Sequence, residues 1–192
     1  MKVIKLGGSL MTDKASLIQC LNTISQKYTE KIVIVPGGGV FADQVRSLQK
    51  EWGFNDQIAH QMAILAMQKM ALLLYSIKPD FVLANNVSLI QQALNMHSVV
   101  IWRPDIVELN KSNVKASWDV TSDSLAAWLA NQLTATELIL VKSVEIPLKG
   151  SIDIETMQKL DLVDNAFNEL SQNASYMITV INKYRFNEHS IS

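Results

Sequence analysis

Cysteine is almost missing from these 192 residues: Cys20 is the only one. That excludes an intramolecular disulfide framework and a thiolate zinc cluster. Charge of one sign is missing too. Lys and Arg total 17 against 18 Asp and Glu, a net charge of −1. No broad basic field exists to hold a nucleic acid or an anionic membrane, and neither partner is expected. No long apolar run is uninterrupted. The most apolar stretch, Met62 to Leu74, is broken by Gln68 and Lys69 and reads as too short and too polar to cross a bilayer. The beginning of the chain shows no secretory pattern, because Lys5 and Gly7-Gly8 interrupt it at once; a cytoplasmic location is expected. The P-loop pattern G-x-x-x-x-G-K-[ST] and the G-x-S-x-G elbow are absent, and Gly37-Gly38-Gly39 lacks the last glycine of the dinucleotide fingerprint. Internal repeats and low-complexity tracts are absent as well.

Apolar residues make up 48% of the chain and the mean hydropathy is +0.13. A buried core is therefore within reach of a single domain. Short apolar runs at Lys2–Leu6, Lys31–Val35, Phe81–Ala84, Val99–Trp102, Leu138–Val141 and Met177–Ile181 read as strands. Strands apolar on both sides belong in a sheet covered on both faces. Helical periodicity falls between them, at 16–28, 41–52, 57–77, 88–94, 122–133 and 163–172. This alternation predicts an α/β fold, a three-layer αβα sandwich around a mostly parallel sheet. Residues 103–120 carry the weakest pattern and read as loop with a short strand; 146–153 reads as irregular, and the polar tail 185–192 as frayed.

Ligands of parallel α/β sheets bind beyond the carboxyl ends of the strands. Two glycine turns fall there, Lys5-Leu6-Gly7-Gly8-Ser9 and Pro36-Gly37-Gly38-Gly39. Each follows a strand and precedes a helix, so backbone amides and a helix N-terminus can face an anion. The bland alternative is that the glycines only make tight turns. Lys5, at the end of an apolar strand, must either snorkel to water or meet an anion. In Ser117-Trp118-Asp119-Val120-Thr121-Ser122-Asp123-Ser124, Thr121 or Ser122 suits an N-cap and Asp123 the first turn. Asp123 either serves capping alone or holds a lysine ammonium. His60 on its helix reads, in isolation, as a buried histidine. His97 and His189 have no partners at metal-ligand spacing, and no metal-ligand cluster is expected.

KLGGSL at 5–10, VPGGGVFADQVR at 35–46, TSDSLAAWLA at 121–130 and LILVKSVE at 138–145 resemble, in order, the amino acid kinase superfamily, which includes acetylglutamate, aspartate and uridylate kinases. FADQVR, the stretch AHQMAI at 59–64 and Ser117-Trp118 resemble one branch of it. That branch comprises the (5-(aminomethyl)furan-3-yl)methyl phosphate kinases of methanofuran biosynthesis and their relatives in C1-metabolising bacteria. The resemblance implies one amino acid kinase-like domain over 1–192, with an acceptor-side half to about 120 and a shortened nucleotide-side half from about 121. It implies an ATP-dependent phosphotransferase, with Mg²⁺ arriving with ATP, acting on a small phosphate monoester. Lys5 would contact the transferring phosphoryl group and Asp123 would orient the lysines. Amides of Gly7, Gly8, Gly37, Gly38 and Gly39, with Ser9, would hold phosphate oxygens. Arg46, His60, Trp118 and Ser122 would contact the acceptor.

The sequence also departs from that family. Relatives carry T-D-V-D-G after the strand at 138–141, where this chain has Lys142-Ser143-Val144-Glu145-Ile146 and no glycine until Gly150. The family's second phosphate-binding lysine, after a G-G-M loop, has no counterpart near Leu162-Val163-Asp164. Lys142, expected at the C-terminal end of its strand near the nucleotide, is the candidate substitute for it. These changes leave open a catalytically weak homologue that binds a phosphorylated ligand or partner, and a kinase for an amino acid carboxylate or a nucleoside monophosphate. The long apolar helix suggests a homodimer.

Overall fold

The structure, a computed structural model, describes residues 1–112, 114–146, 153–172 and 174–188. Along the chain run β1 (Lys2–Leu6), α1 (Lys14–Lys27), β2 (Ile32–Pro36), α2 (Gly39–Trp52), α3 (Asp56–Ile77) and β3 (Val82–Ala84). There follow α4 (Val87–Met96), β4 (Val99–Trp102), α5 (Ile106–Lys111), α6 (Ser122–Gln132), β5 (Glu137–Lys142), α7 (Ile154–Lys159), α8 (Phe167–Leu170) and β6 (Met177–Asn182). Short 3-10 turns cover Gly8–Thr12 and Lys183–Glu188.

The strands form one sheet in the order β3-β4-β2-β1-β5-β6, and every pairing is parallel. Alternate residues of the central strands feed two separate cores. Val3, Val33, Val35, Leu138 and Leu140 pack with α6, α4 and the middle of α3. Ile4, Leu6, Ile34, Ile139 and Val141 pack with α1, the end of α3 and Phe186. A sheet buried on both faces is what β-branched runs without polar alternation demand. The expected three-layer α/β architecture is therefore the one found.

Local chemistry sets the helix ends. The Asp13 carboxylate accepts the Ser16 amide at 3.1 Å, and Asn55 accepts the Ile58 amide at 2.9 Å, so α1 and α3 start on side-chain caps. Gly53, at φ +69°, turns the chain out of α2 with its amide on Gln49 O.

Several expectations are corrected. Residues 103–120 contain the helix α5, and no strand is found there among the described residues. Asp105 caps α5 by accepting the Val107 amide at 2.9 Å. Of 163–172 only Phe167–Leu170 is helical, while α7 forms ahead of it. Of the tail expected to be frayed, 185–188 is structured and 189–192 lies outside the described residues. Lys183–Glu188 is a 3-10 turn whose Phe186 is buried and stacks on Tyr28. Most of 146–153, with Gly150, and His189 lie outside the described residues. The helix containing Met62 to Leu74 is neither too short nor too polar to cross a membrane. It spans 22 residues, with a mean hydropathy of 1.2 in its most apolar window. It nonetheless packs Ala59, Ile64, Met67, Ala71 and Leu74 into the protein, as a core helix does.

Candidate phosphoryl-transfer site

The two glycine turns meet. β1 and β2 are neighbours in register from Lys2–Ile32 to Leu6–Pro36, so both turns leave the sheet at the same end. A Cβ on Gly8 would sit 2.4 Å from Gly39 N, and one on Gly37 would sit 2.4 Å from Gly8 N. Only glycine permits this backbone-to-backbone contact. Gly39 also has φ +56°.

Not every glycine amide is available. Gly7 N donates to Val141 O at 3.0 Å and Gly37 N to Leu6 O at 2.9 Å, extending the sheet pairing by one rung on each side of β1. These two amides cannot serve an oxyanion, as the sequence suggested they would. Gly8 opens the 3-10 turn, and Gly38 and Gly39 open α2; helix-start amides have no partner within their own helix, so these three are the ones left open to an anion. Ser9 Oγ donates to Ser143 Oγ at 2.8 Å, tying the first turn to the end of β5.

Lys5, Asp123 and Lys142 form one buried group. Lys5 Nζ lies 2.9 Å from Asp123 Oδ1 and Lys142 Nζ 2.6 Å from Asp123 Oδ2. Lys5 is 4% exposed and Asp123 6%, so water contributes little screening. Burial pushes the Asp123 carboxyl up, but the charges and hydrogen bonds of the two lysines outweigh it and hold the group below its ordinary value. Burial, joined by repulsion from Lys5, brings the Lys142 ammonium down from 10.5 to about 8, against the pull of Asp123. β1 and β5 are adjacent, and this places the lysines side by side.

The start of α6 is held from a distant segment. Thr121 is the N-cap residue, but its side chain does not cap. Instead the Asp164 carboxylate accepts the Thr121 amide at 2.8 Å, Thr121 Oγ1 at 2.6 Å, the Ser124 amide at 3.2 Å and Ser124 Oγ. Ala166 N donates to Asp119 O, and Asn165 Nδ2 to Asp119 Oδ1. The stretch Leu162-Val163-Asp164, which lacks the expected lysine, thus fixes the helix that carries Asp123.

A cavity of about 260 Å³ opens beside the glycine turns. Gly8, Ser9, Gly38 and Gly39 form one end, and Arg46, His60, Trp118 and Ser122 line the rest, so the four residues expected to contact the acceptor share one space. Lys5, Asp123 and Lys142 do not line it; Lys5 stands two residues before Gly7 on β1, and Lys142 follows Val141, whose carbonyl accepts the Gly7 amide. Trp118 is docked on α2. Its Nε1 donates to Gln49 Oε1 at 2.5 Å, and the Arg46 guanidinium lies 4.4 Å from its ring centroid. Burial pushes the His60 imidazole below its usual 6.5, opposed by a hydrogen bond to the Ser117 backbone. His60 is therefore neutral at neutral pH. A larger cavity, about 500 Å³ between β3 and α4 at the sheet edge, contains neither glycine turn. Among the described residues, no three His, Cys, Asp or Glu side chains gather as a metal site.

Sequence reasoning missed Gln49, Asp43 and Asp164. Gln49 and Asp43 stand three residues to either side of Arg46, so helical spacing alone could have placed them on its face. No local pattern marks Asp164.

Comparison with known proteins agrees with this geometry. Residues 1–150 match the model of the amino acid kinase family. The chain is 29% identical over 146 residues to the [5-(aminomethyl)furan-3-yl]methyl phosphate kinase of Methanocaldococcus jannaschii, covering 76% of this chain and 67% of that one. Uridylate kinase from Archaeoglobus fulgidus shares the fold with a TM-score of 0.71 at 16% identity, over 99% of this chain and 97% of that one. UMP kinase from Ureaplasma parvum does so with 0.68 at 18% identity, over 97% and 91%. The chain belongs to the amino acid kinase family and is a small-molecule kinase by its relatives and by its fold.

Proposed function

We propose that this protein is an ATP-dependent phosphotransferase that phosphorylates a small phosphate monoester in the biosynthesis of a methanofuran-type C1 cofactor. The observation that carries the reading is the meeting of the two glycine turns after β1 and β2, with a carboxylate shared by lysines of β1 and β5. The methanofuran-branch relative supports the acceptor class.

The residues present suit Mg–ATP: the open amides of Gly8, Gly38 and Gly39, with the Lys5 and Lys142 ammoniums, would hold its phosphates. Bound there, it supplies the phosphoryl group. Such a transfer depends on alignment and charge neutralisation more than on acid–base groups. A phosphate monoester is already anionic at neutral pH and needs no strong base. Asp123 keeps both ammoniums aimed at one point. Arg46 supplies positive charge to the acceptor, neutral His60 and Ser122 supply hydrogen bonds, and Trp118 supplies a flat apolar wall suited to a furan ring.

A coupled assay with Mg²⁺ and ATP tests the reading against a phosphate monoester, an amino acid and a nucleoside monophosphate. Turnover of the monoester is expected. Calorimetry that shows phosphorylated ligands binding, with no adenine nucleotide bound below millimolar levels, overturns it.

A cytoplasmic homodimer belongs to the same proposal. Ile58, Leu65 and Leu72 recur every seventh residue on the exposed side of α3, a seam two copies can share about a two-fold axis. Light scattering that reports the monomer mass at micromolar concentration removes that part.

A further inference from the structure

Little of α2 is buried: Val45 is its one buried residue. Among the described residues, a single hydrogen bond joins an α2 side chain to a residue beyond α3, the one from Trp118 Nε1 to Gln49 Oε1. The cavity wall is built from both sides of that bond, with Ala42 and Arg46 from α2 and Trp118 from the stretch before α6.

The Gln49 amide is used at both ends. Its Nε2 donates to Phe54 O at 3.1 Å and to Asp56 Oδ1 at 2.9 Å, across the Gly53 turn between α2 and α3. Two acceptors on that side fix the amide: its nitrogen faces them, and its oxygen faces the indole. Glutamate there would set a carboxylate against Asp56, and lysine would bring a second donor to Trp118. The Arg46 guanidinium, one turn earlier on α2, lies 4.4 Å from the centroid of the same ring. Gln49 pins the edge of the indole and Arg46 its face, so the plane of the ring is set. The neighbouring Ser117 is held from α3 by the hydrogen bond between its backbone and His60. Trp118 is only half-buried, so its Nε1 could be satisfied by water. What Gln49 adds is orientation. Gln49 does not line the cavity, and its effect on a ligand passes through Trp118.

We propose that Gln49 is a positioning residue for the acceptor: by holding the Trp118 indole in one plane, it sets the width of the space between α2 and the stretch before α6. This role rests on the reading of the cavity as the acceptor's place. An indole released from Gln49 must be ordered again each time a ligand binds, a cost that falls on acceptor affinity and not on phosphoryl transfer.

Two measurements on the full chain test it. In ¹⁵N-labelled protein without ligand, the indole resonance that disappears in Trp118→Phe belongs to Trp118. It should exchange with water more slowly than that of Trp52, which is 75% exposed, and should lose this protection in Gln49→Met. The second is calorimetry with [5-(aminomethyl)furan-3-yl]methyl phosphate, without nucleotide and with EDTA. Gln49→Met should weaken binding about fivefold, the scale of one hydrogen bond. Trp118→Phe removes the same bond from the other side. Adding Gln49→Met to Trp118→Phe should then change affinity by no more than about twofold, because the two residues act as one unit. A glutamine that only braces the Gly53 turn would cost the same in both backgrounds. Gln49→Ala, a better helix former, repeats the cycle if Gln49→Met does not fold. An unprotected Trp118 indole, unchanged affinity in Gln49→Met, additive losses, or no binding by the native protein overturns the proposal. Turnover is measured separately with Mg²⁺ and ATP. Non-additive losses of binding without turnover sink the kinase reading and leave this one standing; turnover with additive losses does the reverse.

Discussion

Lys5 and Lys142 share one carboxylate: the two ammonium groups stand 2.9 and 2.6 Å from opposite oxygens of Asp123. Two like charges this close and this buried are tolerable only with that anion between them, and together the three groups carry a net positive charge. Lys5→Ala should lower kcat about a hundredfold or more, because it removes charge stabilisation that grows in the transition state. Steady-state kinetics on folded variant decides this, and near-normal turnover would remove Lys5 from the site.

Lys142 gives the pH dependence. Its ammonium titrates at about 8, below the ordinary 10.5, so its charge is present below that pH and lost above it. Activity should fall as pH rises through about 8. Lys142→Arg, whose guanidinium stays charged, should move this alkaline limb upward. A pH–rate profile of the two proteins measures it.

Asp123→Asn leaves two buried ammoniums without their counter-ion. Breaking a buried pair in this way costs about 3 kcal/mol or more, so stability and turnover should fall together. Denaturant titration beside kinetics checks both, and unchanged stability would contradict the buried geometry.

Asp164→Ala removes the acceptor for donors at Thr121 and Ser124, with an expected loss of about 2 kcal/mol. If the loop acts through Asp123, kcat should drop while acceptor KM changes little, and Asp164→Asn should recover part of kcat. A change in KM alone would point to the cavity wall instead.

Gly8→Ala places a methyl group against the Gly39 backbone and should cost about 1–3 kcal/mol and most of the activity. Gly53→Ala is the control. Nothing lies within 4 Å of its Cβ, and only its left-handed backbone is strained, so stability should fall about 1 kcal/mol with activity intact. Equal loss of activity in both would deny the cradle its role.

The sheet was legible because each strand is apolar on both faces, and the glycine turns because backbone contact leaves no alternative residue. Lys5 was legible as a charge at the end of an apolar strand, and Asp123 as an acid in the first turn of a helix whose motif resembles the family's. α5 was not, because Leu109 is its one buried residue and one anchor makes no period. The 3-10 turn at the end hid in polar sequence behind Phe186 alone. Asp164 was invisible for a different reason. Its partners Thr121 and Ser124 lie 43 and 40 residues away, and no neighbour in sequence hints at a cap supplied from that distance. The amides of Gly7 and Gly37 were overcounted, since a glycine run does not reveal which of its donors the sheet has already taken.

The touching glycines divide responsibility for chemistry and for choice. No side chain can be inserted where Gly8 meets Gly37 and Gly39, so that end handles whatever oxyanion arrives and cannot be retuned. The residues expected to distinguish one acceptor from another, Arg46, His60, Trp118 and Ser122, stand beyond the glycines on α2, on α3 and from the stretch before α6 to its first residue. A protein built this way can exchange its clientele by side-chain substitutions along the cavity wall while its transfer machinery stays as it is.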